Sequence, residues 1–207
     1  MVAPKPHVRP TSKLPALGPL FPCATLLAGL LSVGTLACSA DEAPGPVSAR
    51  ASGLPSWQGN DKDLFDDEID PAALGFTAAK NPRKDQALWA RAQSSDVAGK
   101  VRVQTITVDS RGGDATYHLG LQFAEPALAT KPGVVDRVFD VTIEPRDPAY
   151  GLVKALDTGI QGKTFVGFVK RFASADDEVE VHFFLAPDSA EVAAVVQEAV
   201  AVQEVSK

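Results

Sequence analysis

The stretch Ala115-Thr-Tyr-His-Leu-Gly-Leu-Gln-Phe123 decides the fold. Ala115, Tyr117, Leu119, Leu121 and Phe123 alternate with Thr116, His118, Gly120 and Gln122, the period of two that a half-buried β-strand imposes on its side chains. Such a strand needs partners for its backbone groups, and the flanking sequence supplies them. Lys100 to Asp109 is rich in Val, Thr and Ile, and Ser110-Arg-Gly-Gly-Asp114 is turn chemistry, so the two segments are expected as a hairpin. Downstream, Phe139, Val141 and Ile143 alternate with Asp140, Thr142 and Glu144 in a third strand that stops at Pro145.

Lys163 to Phe172 carries Phe165, Val166, Phe168, Val169 and Phe172 on both phases, the pattern of a central strand covered on two sides. Val179, Val181, Phe183 and Leu185 make a fifth strand, and Asp176-Asp177 in the loop before it predicts a second hairpin. Helical spacing appears between and around these strands. Gln86 to Gln93 follows a capping Asp85. Asp147-Pro148 is read as an N-cap and first helical position of a helix to about Asp157, bearing Leu152, Val153 and Leu156 on one side, with Gly159 just past its end. Asp188-Ser-Ala-Glu191 has capping-box spacing and opens a long helix with Val192, Val195, Val196, Ala199 and Gln203 in phase. Asp61 to Gly75 is expected as a short helix or turn pair that docks Leu64, Phe65, Ile69 and Leu74. The fold class that follows is α+β: an antiparallel sheet of about five strands, helices on one face and a long C-terminal helix.

The first part of the chain follows different rules. Residues 1–22 hold Lys5, Arg9 and Lys13 and no acid, and Cys23 to Ala37 is an apolar run shorter than the roughly 20 residues of a spanning helix. Positive flank and short apolar run together are a signal for export. The run ends in Thr35-Leu36-Ala37-Cys38, and here the chain resembles bacterial lipoproteins, whose processing motif has Leu at the position of Thr35. The resemblance covers about the first 38 residues. It implies that Cys38 is lipidated and becomes the mature amino terminus. It also implies, with Ser39 rather than Asp behind the cysteine, an outer-membrane destination. Two or three acyl chains anchor stably where one does not. An ordinary secretory signal cut after Ala40 or Ala51, with a secreted or periplasmic product, is a second reading, and an uncleaved anchor is a third. The globular part resembles, faintly, uncharacterised bacterial surface lipoproteins with a Leu-Phe-Asp-Asp start, a resemblance that carries no activity across.

The expected organisation is therefore a signal peptide at 1–37, a lipidated terminus and flexible linker at 38–60, and a single α+β domain at 61–207. The linker composition is Pro, Gly, Ser and small residues without periodicity, and Trp57 within it either packs on the domain or stays loose. Net charge is -6, and loss of residues 1–37 makes the chain three units more negative, a balance that disfavours nucleic acid. The two cysteines, Cys23 and Cys38, precede the domain, so thiol nucleophiles and thiolate metal sites are excluded from it by composition.

Candidate chemistry is sparse. The acids Asp61, Asp63, Asp66, Asp67, Glu68 and Asp70 would suit Ca²⁺ by charge, but Phe65 and Ala72 stand where an EF-hand needs ligands, and a solvated acidic helix start explains them too. His118 and His182 fall on the polar phases of two strands with Glu180 and Gln122 nearby; were those strands neighbours, the imidazoles and Glu180 would converge on one metal ion or an acid-base site. Gly159-Ile-Gln-Gly-Lys-Thr164 lacks the first glycine and the strand-to-helix context of a phosphate loop. No catalytic residue, metal ligand set or cofactor is assigned. The function expected is a lipid-anchored envelope protein, a noncatalytic binding or structural module whose partners are the membrane and an envelope protein. The alternatives are an exported hydrolase or a small-ligand carrier.

Overall fold

The computed structural model describes residues 53–110 and 113–205. The expected signal peptide 1–37, the lipidation site Cys38 and the linker as far as 52 lie outside the described residues. In chain order the elements are α1 (Asn60–Leu64), β1 (Glu68–Ile69), α2 (Gln86–Ser94), β2 (Val97–Asp109), β3 (Thr116–Phe123), β4 (Ala129–Thr130), β5 (Val138–Ile143), α3 (Tyr150–Ile160), β6 (Thr164–Ala173), β7 (Val179–Pro187) and α4 (Ala190–Val205). Among the described residues no helix is long and apolar enough to cross a membrane.

The five strands expected from alternation are all present, and the architecture is α+β. The sheet itself corrects the expectation. Among the described residues it has seven strands in the order β1-β7-β6-β2-β3-β5, with β4 beside β2, and it is mixed, because β1 runs parallel to β7. β1 and β4 are two residues each, too short to display a period.

Helices on one face is a second expectation that the structure corrects. Both phases of β6 are apolar, so both faces of the sheet need covering. Phe165 and Val169 face a core with Leu119, Val141, Phe183 and the α3 residues Val153 and Ile160. Val166, Phe168 and Phe172 face a second core built with Phe65, α2 and the α4 residues Val192, Val195, Val196 and Ala199. Each fully buried phenylalanine contributes about 1.5–3 kcal/mol over an exposed one. Between strands, Gly167 makes room: a Cβ there would lie 2.5 Å from Val101 Cγ1 on β2. The sheet curls until β5, at its far edge, comes within 8 Å of β7, Cα to Cα.

Caps explain where the helices start. Asp85 Oδ1 accepts from Ala87 N at 3.0 Å and Leu88 N at 3.1 Å, as its position predicts. Two other caps differ. Asp147 accepts from Glu144 N at 2.7 Å and closes the turn after β5, leaving α3 to begin at Tyr150 behind an Ala149 with no side-chain cap. Asp188 is drawn to Lys100 Nζ and Thr164 Oγ1, both at 2.8 Å, and Ser189 Oγ accepts from Val192 N in its place.

The chain is already engaged at Pro55, within the stretch expected as linker. Pro55 O accepts from Ala173 N at 2.9 Å, Ser56 bridges Ala173 in parallel, and Trp57 Nε1 donates to Phe65 O at 3.0 Å.

Candidate functional site

The site begins with a turn. Phe65 ends α1, and the chain reverses through Asp66 and Asp67 into β1, with Asp67 in the left-handed region at φ 56°. That conformation costs an ordinary residue roughly 1–2 kcal/mol, and Asp is among the few that visit it readily. Hydrogen bonds from several elements hold it there. Asp67 N donates to Phe183 O at 3.1 Å and Asp67 O accepts from Ala149 N at 3.1 Å. Its Oδ1 accepts from Phe183 N at 3.1 Å, and its Oδ2 accepts from His182 Nδ1 at 2.6 Å. Parallel pairing of β1 with β7 brings this turn beside His182: Glu68 lies opposite Phe184 and Ile69 opposite Leu185.

The imidazole is fixed on its other sides by aromatic rings. Trp57 stacks on it at 3.6 Å between centroids and 13° between planes, and Phe172 meets it edge-on at 5.6 Å. Lys62 Nζ lies 4.8 Å from the Trp57 ring centre. The His182 side chain is only 12% exposed. Where Nδ1–H donates to the Asp67 carboxylate, Nε2 of that neutral tautomer is an acceptor. It is buried, has no hydrogen-bond partner among the described residues, and lies 3.7 Å from Glu180 Oε2.

His182 lines a cleft of about 350 Å³ where the curled sheet brings β7 against β5. Asp67, Asp140, Glu144, Asp147 and Glu180 also line it, with Arg146 as the cation that balances them in part, at 3.0 Å from Glu144. Burial pushes the Asp67 carboxyl above its ordinary 3.8, against the lowering effect of the bond from His182. Asp66, next to it in the turn, is raised by burial as well, and its buried Oδ1 has no hydrogen-bond partner among the described residues.

The sequence-derived candidates separate. His182 and Glu180 do come together. His118 joins neither, because β3 and β7 are not neighbours in the sheet; it sits on the exposed side of β3, Nδ1 3.2 Å from Thr142 Oγ1, although Thr142 itself lines the cleft. Gln122 contacts Gln104 instead. The acidic run disperses: Asp61 pairs with Lys170 at 2.7 Å, Asp67 with His182, and Asp70 caps the turn at Ala72 N at 2.8 Å. Among the described residues no group of three His, Cys, Asp or Glu side chains is placed to hold a metal ion. Sequence reasoning missed Asp67 and Trp57 as parts of the site. Asp67 stood as one acid among six, and nothing local separates it from Asp66.

Fold and site together define an α+β domain with an acid-lined cleft around an oriented imidazole. Set against family models, curated proteins and solved structures, the chain matches none of them.

Proposed function

We propose that this chain is a lipid-anchored cell-envelope protein, sorted to the outer membrane, whose domain is a noncatalytic binding module. Its ligand carries an amine or guanidinium group and enters the cleft at His182. The anchor rests on Thr35-Leu36-Ala37-Cys38 behind a basic flank and a short apolar run. The observation that carries the ligand class is Nε2 of His182, which has no hydrogen-bond partner among the described residues, inside a cleft lined by carboxylates. A ligand N–H satisfies Nε2, and Glu180 and Asp140 supply the opposing charge.

Calorimetry of spermidine and of lysine methyl ester with the full chain tests the ligand class. Binding that is lost in Glu180→Gln and His182→Ala supports the reading, and a flat titration with both probes overturns it. Intact mass and membrane fractionation of the native protein beside Cys38→Ala test the anchor. An unmodified, soluble native chain ends that part of the proposal.

One observation favours a second reading, an exported hydrolase. A buried carboxylate that orients an imidazole whose Nε2 has no hydrogen-bond partner among the described residues is the arrangement that general base chemistry uses. Turnover of an envelope substrate that disappears in His182→Ala with the fold intact would favour it.

A further inference from the structure

The sheet has a second concave surface at the start of β5, the opposite end of that strand from Glu144 and the acid cleft. It encloses about 440 Å³. Lys100, Arg102 and Gln104 on β2, Gln122 on β3, Thr164 at the start of β6 and Arg137 just ahead of β5 line it, with Glu125 as its acid. In a chain of net charge -6, three cations in one cleft reverse the local sign. The strand register centres the group on Arg102, which pairs directly with Gln122 on one side and Thr164 on the other.

The cations are only partly spoken for. Lys100 Nζ has Asp188 Oδ2 at 2.8 Å. Arg137 Nη1 donates to Asp136 O at 3.1 Å, but its Nε is buried with no hydrogen-bond partner among the described residues. That Nε forms a long ion pair with Glu125 Oε1 at 3.8 Å, on a side chain 78% exposed. No carboxylate among the described residues forms an ion pair with Arg102. Two guanidinium groups with unused N–H donors in one cleft match an oxyanion, whose oxygens take paired N–H bonds from planar arginine forks.

We infer that this cleft binds a phosphate group of two or more negative charges, or a phosphodiester presenting the same oxygens, with Arg102 and Arg137 as its hydrogen-bond donors. Lys100, Gln122 and Thr164 complete the surround. The site is separate from the acid cleft and does not depend on what binds there. A free phosphate compound and a phospholipid headgroup offer the same recognition chemistry.

Two probes distinguish these sources: inorganic pyrophosphate, and dihexanoyl phosphatidylglycerol kept below its micelle concentration. Each is titrated into the full chain by calorimetry. Saturable binding of pyrophosphate, with or without the lipid, assigns the site to free phosphate compounds; binding of the lipid alone assigns it to headgroups. In either case the affinity is expected to fall about tenfold in Arg102→Ala and in Arg137→Ala. Arg102→Lys, which keeps the charge and loses the fork, should fall less, and Glu180→Gln in the other cleft should leave the affinity for the phosphate probes as it is in the parent. Flat titrations with both probes overturn the inference, as does binding that either arginine variant leaves unchanged while its circular dichroism matches the parent.

Discussion

The Asp67 carboxylate and the His182 imidazole, 115 residues apart in the chain, meet at 2.6 Å between Oδ2 and Nδ1. The contact ties the turn after α1 to β7, and Phe183 N donates to the other carboxylate oxygen at 3.1 Å, so the pair is held by backbone as well as side chain. Asp67 thus joins the entry to the parallel strand β1, the start of α3 and the cleft in one place.

Removing the carboxylate orphans two donors, Phe183 N–H and His182 Nδ1–H, at about 1–3 kcal/mol each. Asp67→Ala is expected to lower the urea-derived stability by about 2–6 kcal/mol, with added strain because Ala is poorly suited to φ 56°. Asp67→Asn keeps an acceptor and the tolerance for that conformation. It should cost clearly less, and equal losses in the two variants would refute this account of the turn.

Stability should depend on pH in two opposing windows. Burial raises Asp66 and Asp67 above 3.8 and Glu68 above 4.5. Between those ordinary values and the raised native ones, the unfolded chain binds fewer protons than the native one. Stability therefore increases as pH falls through that window. Asp96 behaves in the opposite way. Burial alone would raise it, but the bonds from Lys131 and Arg171 outweigh burial and hold it below 3.8, so its contribution is complete above 3.8 and is lost as pH falls further. Urea midpoints across pH should rise on mild acidification and drop below 3.8. In Asp67→Asn the rise should be shallower; an identical slope would remove Asp67 from the explanation.

Trp57 should behave as part of the domain. Its ring stacks on His182 and its Nε1 donates to Phe65 O, so Trp57→Ala is expected to cost about 2 kcal/mol from the lost stack and hydrogen bond. Trp57→Phe restores a ring without the donor and should fall between. Midpoints within error of the parent for both variants would show the contact to be energetically idle.

Two strand glycines should respond differently to the same added methyl. At Gly167 a Cβ would meet Val101 Cγ1 at 2.5 Å, and Val101 is fully buried and β-branched, so Gly167→Ala should cost about 1–3 kcal/mol by overpacking. At Gly120 the clash is with Thr105 Oγ1, also at 2.5 Å, but Thr105 is exposed and its hydroxyl can rotate away. Gly120→Ala should therefore be tolerated to within about 0.5 kcal/mol. Thermal midpoints of the two variants decide it, and a reversed order would contradict the packing described.

Much of the layout was legible locally. The alternation in Tyr117, Leu119 and Leu121 and in Val141 and Ile143 places those residues in one core, and Val192, Val195, Val196 and Ala199 share the α4 face that packs on the other. Asp85 caps α2 where its spacing says it should. Asp147 and Asp188 do not cap the helices that follow them because each carboxylate finds a competing donor, Glu144 N in one case and Lys100 with Thr164 in the other. Half of the candidate site was visible as His182 with Glu180. The other half, Asp67 and Trp57, carried no local signal.

By itself the sequence determined which residues alternate, which segments coil, and that no cysteine stands in the domain, because period and composition are properties of a few adjacent residues. Tertiary structure alone decided the strand order, the parallel placement of β1, the covering of both sheet faces and the meeting of Asp67 with His182. Those depend on how distant surfaces fit together. A strand's period states which side is buried, and it is silent about which neighbour buries it.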